Sequence, residues 1–254
     1  MVSGLLALLT VVMGPGSGPE RAADRYRVDL NMKQAADLSS IGQGMQESSV
    51  SATVFMNVAM SDTAGGRIAH VVVDSMRVSG EGALAAQFPQ ALADSIKGAF
   101  IHAYIVNGKP EGAPTYSVEG NPALALATQG LSALFPGVSE KAAGQKSWAD
   151  TNNTSTVNEA INVTSNQVVT WAVTGQSGTL LTVTGTGQGT VTGEQGGNPV
   201  SGTVSNTLTA VTPIGGPSRS ADLSSNQDMT VLVAQLPEPI AVKVTSTMKL
   251  TPLP

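Results

Sequence analysis

The sequence predicts a mainly β fold: a large curved antiparallel sheet, or incomplete barrel, with two short helices packed on one face. Three observations predict it. From Val157 to Leu250, Thr, Ser and Val alternate in short runs with Gly or Asn between them, at a spacing of about ten residues, which marks antiparallel all-β architecture. Only 12% of the residues are charged, while 41% are hydrophobic, so a disordered chain is excluded and the polar face of these strands is rich in hydroxyls. Two stretches of the first half change to a helical period and are apolar enough to cover one face of such a sheet.

Taken in order, Arg25 to Lys33 alternates, with Tyr26, Val28, Leu30 and Met32 on one side, and is a strand. Ala35 to Glu47 is polar and contains Gly, so a loop is expected. Val50 to Met60 places Val50, Ala52, Val54, Met56, Val58 and Met60 on a common face. The cluster Asp62 to Gly66 turns the chain, and Arg67 to Val78 completes a three-stranded meander. Between Gly80 and Gly98, Leu84, Phe88, Leu92 and Ile96 recur every four residues, which predicts a helix interrupted or started at Pro89. Ala99 to Val106 returns to strand. Asn107-Gly108 is a strong hairpin signal, with Thr115 to Glu119 as the expected partner strand.

Asn121-Pro122 fits a helix start, and the apolar run Ala123 to Phe135 is stopped by Pro136-Gly137. Val138 to Asn153 is expected to be a connector carrying Trp148. Strands follow at Val157 to Thr164, Val168 to Thr174, Thr179 to Thr184, Gly189 to Glu194, Val200 to Val211, Ser218 to Ser224, Met229 to Leu236 and Ile240 to Leu250. Gly185, Gly187, Gly196-Gly197, Gly215-Gly216 and Pro237-Glu238-Pro239 are read as the turns between them.

With 254 residues the chain suits one large β-rich domain or two small ones. The expected division is a signal-like segment and linker at 1–24 and a β-rich domain at 25–254, or two halves joined near 136–156. Leu5 to Met13 is apolar, shorter than the roughly 20 residues a membrane span needs, and followed by small residues and prolines. It resembles the hydrophobic region of a signal peptide, although no Lys or Arg precedes it, which a true start further upstream would explain. Export to the periplasm or surface of a bacterium is the expectation, with no transmembrane span.

Cysteine is absent, which removes disulfides, thiol nucleophiles and Cys-ligated zinc. A net charge of −5 with only 13 basic residues, and aromatics at 4%, leaves neither the electrostatic footprint nor the stacking surface for nucleic acid.

At Phe135 to Asp150 (FPGVSEKAAGQKSWAD) a proline closes a helix, a connector carries charge, and Gly144 precedes Ser147-Trp148 with Asp150 behind. This order resembles a family of bacterial secreted or envelope β-proteins known only as a domain of unknown function. The resemblance implies export and a β-rich fold and brings no catalytic residues. The succession of three strands, helix, two strands, helix and many strands is similar, at the level of fold alone, to bacterial lipoprotein carriers and mycobacterial lipid-binding lipoproteins, whose curved open sheets hold helices in the hollow. Function is not inherited from a fold.

No cofactor is expected. His70 and His102 lie in separate strands, and with Asp74 they form a candidate metal group, weighed against two ordinary sheet histidines. No nucleophile elbow surrounds any serine. Gly185-Thr186-Gly187-Gln188-Gly189 lacks the helix and lysine of a phosphate loop, so turn glycines account for it. Asp150 to Asn153 is a thin calcium candidate. Catalysis is therefore not expected, and a hydrolase or metal enzyme is the weakest reading.

The favoured reading is an exported protein binding a lipid or other hydrophobic ligand between helices and sheet, with Met56, Met76, Leu92, Ile96, Leu131, Leu134 and Phe135 as the lining. Core packing by the same residues is the simpler alternative. Trp148 is the candidate anchor for a partner, and a structural or adhesive role through contacts with envelope proteins is the second function considered.

Overall fold

The computed structural model describes residues 23–118, 120–128, 130–157 and 161–254. The signal-like run at Leu5 to Met13 lies outside them. Eleven strands form one antiparallel sheet that does not close into a barrel: β1 (Asp24–Asp37), β2 (Met45–Thr63), β3 (Gly66–Glu81), β4 (Phe100–Val106), β5 (Lys109–Tyr116), β6 (Ser147–Val157), β7 (Ile161–Ser177), β8 (Leu180–Gln195), β9 (Asn198–Pro213), β10 (Ser220–Val231) and β11 (Ile240–Leu253). The spatial order is β5-β4-β3-β2-β1-β11-β10-β9-β8-β7-β6. The pairing of β1 with β11, from Arg25 opposite Leu253 to Asp37 opposite Ala241, joins the strands of the first half to those of the second in a continuous sheet.

Period-two alternation decides which side chains meet. Tyr26, Val28 and Leu30 of β1, Val54, Met56 and Val58 of β2, Ala69, Val71 and Val73 of β3, and Met248 and Leu250 of β11 point to one face and join a single apolar core. The opposite face carries Arg27, Asp29, Asn31 and Thr53, linked by side-chain hydrogen bonds across β1 and β2.

Both predicted helical regions are helical, and each is divided. The first gives α1 (Gly82–Ala86) and α2 (Gln90–Ser95), with Pro89 as the residue before α2. Proline has no N–H to donate and suits a helix start, not an interior. The second gives α3 (Pro122–Thr128) and α4 (Leu131–Leu134). Asn121 begins α3 as expected, its Oδ1 accepting the Ala123 N–H at 2.9 Å. A further helix, α5 (Glu140–Gln145), precedes β6.

The Asn107-Gly108 turn is present, with φ of 52° and 79°. Both values are positive, as a tight two-residue hairpin demands. Its second strand begins at once, at Lys109, and not at Thr115. The expected loop at Ala35 to Glu47 shrinks to residues 38–44, because β1 and β2 stay paired out to Asp37 and Met45.

The larger differences lie in the second half. Trp148 is in edge strand β6, not in a connector. The runs at 179–184 and 189–194 belong to one strand, β8, and its Gly185, Gly187 and Gly189 are interior residues instead of turns. They face the core side, where β7 and β9 bring large side chains. A Cβ on Gly185 would sit 2.6 Å from the Trp171 ring, and one on Gly187 would meet Asn206 Oδ1. Asn206 Nδ2 reaches over this bare strip to donate to Gln167 Oε1 at 2.5 Å, from the strand beyond. Glycine inside a strand marks a close approach of this kind. Here it leaves room for Trp171 and the Asn206 side chain over β8.

Candidate functional site

The inward positions of β10 and β11 alternate down the concave face. Directly opposite each other stand Ala221 and Leu250, Leu223 and Met248, Ser225 and Ser246, Gln227 and Val244, Met229 and Val242, and Val231 and Ile240. The first pairs are sealed under the helices: α4 packs on β10, and Leu126 of α3 faces Leu30, Met32, Val50, Ala52, Leu223 and Met248 across a hollow of about 20 Å³. That is room for about one water molecule. Further down, Met229, Val231, Ile240, Val242 and Val244 are half-buried. The loops at that end, 38–44 and 232–239, are neighbours because β1 pairs with β11. Ile41 and Leu232 in those loops, and Met45 at the start of β2, are exposed.

The expected lining lies elsewhere. Met56, Met76, Ile96, Leu131, Leu134 and Phe135 are buried in the apolar core, and Leu92 packs against it. None of them lines the hollow. Of the residues that do, Leu30, Met32, Val50 and Ala52 were legible as sharing strand faces, whereas Leu126, Leu223 and Met248 were not singled out, and the gap between helix and sheet was not legible.

At the other end of the sheet a wider cleft of about 930 Å³ opens between the turns of β2–β3, β4–β5 and β9–β10. Trp148 lines it and stacks on Trp171, its direct partner across β6 and β7, with ring centroids 5.9 Å apart and planes 11° from parallel. Asp62 pairs with Arg67 at 2.9 Å, and Lys109 of β5 pairs with Asp150 of β6 at 2.7 Å. Arg67 Nη1 also donates to the Gly215 carbonyl at 3.2 Å. The cleft thus holds charges matched in pairs, and the Lys109–Asp150 contact links the two edge strands of the open sheet. Asp150, the first residue of the calcium candidate, is thus held by Lys109.

His70 and His102 are brought together: they are directly opposite on β3 and β4, on the face away from the core. His70 Nδ1 and His102 Nε2 share a hydrogen bond, and the ring centroids are 4.6 Å apart. Phe100 flanks both rings, 4.8 Å from His102 and 5.6 Å from His70. Burial, and then the neighbouring His70, hold His102 below the ordinary histidine range. Asp74 is not part of this group. The register of β2 and β3 shifts beside it, leaving Asp74 without a strand partner, and Asn57 Nδ2 donates to its Oδ1 at 2.6 Å. Among the described residues no three His, Cys, Asp or Glu side chains gather where a metal would need them.

No protein-family model matches the sequence. No curated protein matches it either. Among solved structures, the fold is similar to part of lipovitellin, from a structure of its lipid–protein interactions, with a TM-score of 0.47 and 10% identity over 92% of this chain. The chain spans only a quarter of that protein's length, the covered share being 25%. It is also similar to an outer membrane channel from Pseudomonas putida F1, with a TM-score of 0.37 and 9% identity over 96% of this chain and 100% of that one. At these values the likeness is one of general sheet architecture and transfers no activity. No helix among the described residues is long and apolar enough to cross a membrane.

Proposed function

We propose that this is a non-catalytic, exported envelope protein that binds the acyl chain of a hydrophobic ligand between α3 and the concave wall of β1, β11 and β10. The observation that carries the reading is the largely apolar path on that wall, crossed by Ser225, Ser246 and Gln227. It runs from the hollow at Leu126, Met32, Leu223 and Met248, past Met229, Val242 and Val244, to exposed Ile41 and Leu232 in the loops at the rim. Apolar area left half-covered on a concave face is where a greasy ligand gains most by leaving water, at about 25 cal/mol per Å².

The hollow is too small for a chain as it stands, so the ligand enters by lifting α3. That helix has 7 residues, far fewer than an isolated helix needs to persist in water. It is held by packing and by Asn121, whose Nδ2 donates to Ser95 Oγ at 3.0 Å. Displacing it exchanges protein–protein apolar contact for protein–ligand contact of the same kind.

Fluorescence titration with dansyl-labelled undecanoic acid, and competition by oleate, test the reading. Saturable binding of one molecule per chain is expected, with affinity lowered at least tenfold in Val242→Glu while far-UV circular dichroism is unchanged. Wild-type protein that shows no saturable uptake of the probe removes the proposal.

A further inference from the structure

We propose that His70 and His102 form a binding site for a divalent transition-metal ion, of the Cu²⁺, Ni²⁺ or Zn²⁺ type, on the outer face of β3 and β4. The reading is independent of the acyl-chain site on the opposite face. The two residues are directly paired across the strands, and His70 Nδ1 and His102 Nε2 point at one another. Imidazole nitrogens suit these ions and not Mg²⁺ or Ca²⁺, which prefer oxygen. A metal bound through imidazole nitrogen sits about 2.0–2.1 Å from each, so the rings must part modestly to admit the ion between them. The rings are half-buried and can turn at χ1 and χ2, with Phe100 as the ring beside them among the described residues.

The proton balance is simple. In the metal-free pair one ring carries its proton on the nitrogen that faces the other ring. Binding an ion moves that proton, through solvent, to the far nitrogen of the same ring. Both neutral imidazoles then present a lone pair, and no net proton is released above the histidine range. Water completes the coordination, since among the described residues no carboxylate joins the pair and Thr115, opposite His102 on β5, offers a hydroxyl. The ion would pin β4, near one edge of the open sheet, to β3.

The test is isothermal titration of the untagged full-length chain with CuCl₂, NiCl₂, ZnCl₂ and MgCl₂, beside His70→Gln, His102→Gln and the double variant. One transition-metal ion per chain is expected, with no response to Mg²⁺. Each single variant should bind at least tenfold more weakly, and the double variant should not bind. Wild type that takes up no ion, or a double variant that binds like wild type, overturns the site. If a variant does not fold, electron paramagnetic resonance of the Cu²⁺-loaded wild type decides: hyperfine structure from two equatorial nitrogens supports the site, and one or none overturns it.

Discussion

Placing a methyl group on each glycine inside β8 gives a graded result that depends on what stands opposite. At Gly189 the new Cβ meets the Asn166 backbone carbonyl, which is fixed by pairing of β7 with β8. At Gly185 it comes within 2.6 Å of the Trp171 ring. At Gly187 it meets only the end of the Asn206 side chain, which can rotate at the loss of its hydrogen bond to Gln167. Replacing Gly by Ala gains about 0.4–1 kcal/mol by restricting the unfolded chain. Overpacking costs about 1–3 kcal/mol. The expected net loss is therefore about 2 kcal/mol for Gly189→Ala, about 1–2 kcal/mol for Gly185→Ala, and close to zero for Gly187→Ala. Urea unfolding followed by tryptophan fluorescence measures all three, since the chain holds 2 tryptophans and they stack on one another. Gly185→Ala should also weaken the near-ultraviolet dichroism of that pair. Equal stability of all three variants, with the dichroism unchanged, would refute the argument that these glycines are demanded by side chains reaching across β8.

Other expectations rest on single groups. Among the described residues Tyr26 Oη is buried without a hydrogen-bond partner, so Tyr26→Phe should keep or raise stability, by up to about 1 kcal/mol in urea unfolding. Burial pushes the Tyr26 phenol up to about 12, and because the unfolded chain ionises at about 10, stability contributed by the neutral phenol is lost as pH rises from the lower value to the higher. An alkaline unfolding series in which Tyr26→Phe shows the same slope as wild type would contradict this. His102 titrates lower when folded than when unfolded, so its penalty is absent above about pH 6.5. Stability then falls as pH drops from that value toward the depressed one. His102→Gln should flatten that part of the curve. Lys109→Met breaks an ion pair whose members are 48% and 35% exposed, so solvent screening limits the loss to under about 1 kcal/mol. Hydrogen exchange should nevertheless quicken in β5 and β6, and unchanged exchange there would mean that the pair does not tie the two edges.

Much of the architecture follows from local pattern. Tyr26, Val28 and Leu30 alternate with Arg27 and Asp29, and this alone assigns their faces. Asn107-Gly108 names its own turn, because a residue tolerant of positive φ stands at each central position. Asn121-Pro122 names a helix start through an acceptor and a ring that needs no N–H. The helical period of Leu84 to Ile96 was likewise plain, as was its break at Pro89, which stands just before α2.

The candidate sites were less legible, and for a physical reason. Alternation says which face a residue occupies but not what lies across from it. Gly185 and Gly187 carry the same local signal as turn glycines, and only Trp171 and Asn206 arriving from flanking strands distinguish them. Whether His70 and His102 touch depends on the register of β3 against β4, which a one-residue slip would abolish. Trp148 looked like connector because its partner strand begins many residues later. Sequence by itself determined the class of fold, the alternation of faces along β1 and β2 and the turn at Asn107-Gly108, since these depend on neighbours along the backbone. Tertiary structure alone decided the close approaches over the glycines of β8, the histidine pair and the gap beneath α3, since each depends on groups far apart in the chain and brought close only by strand pairing and packing.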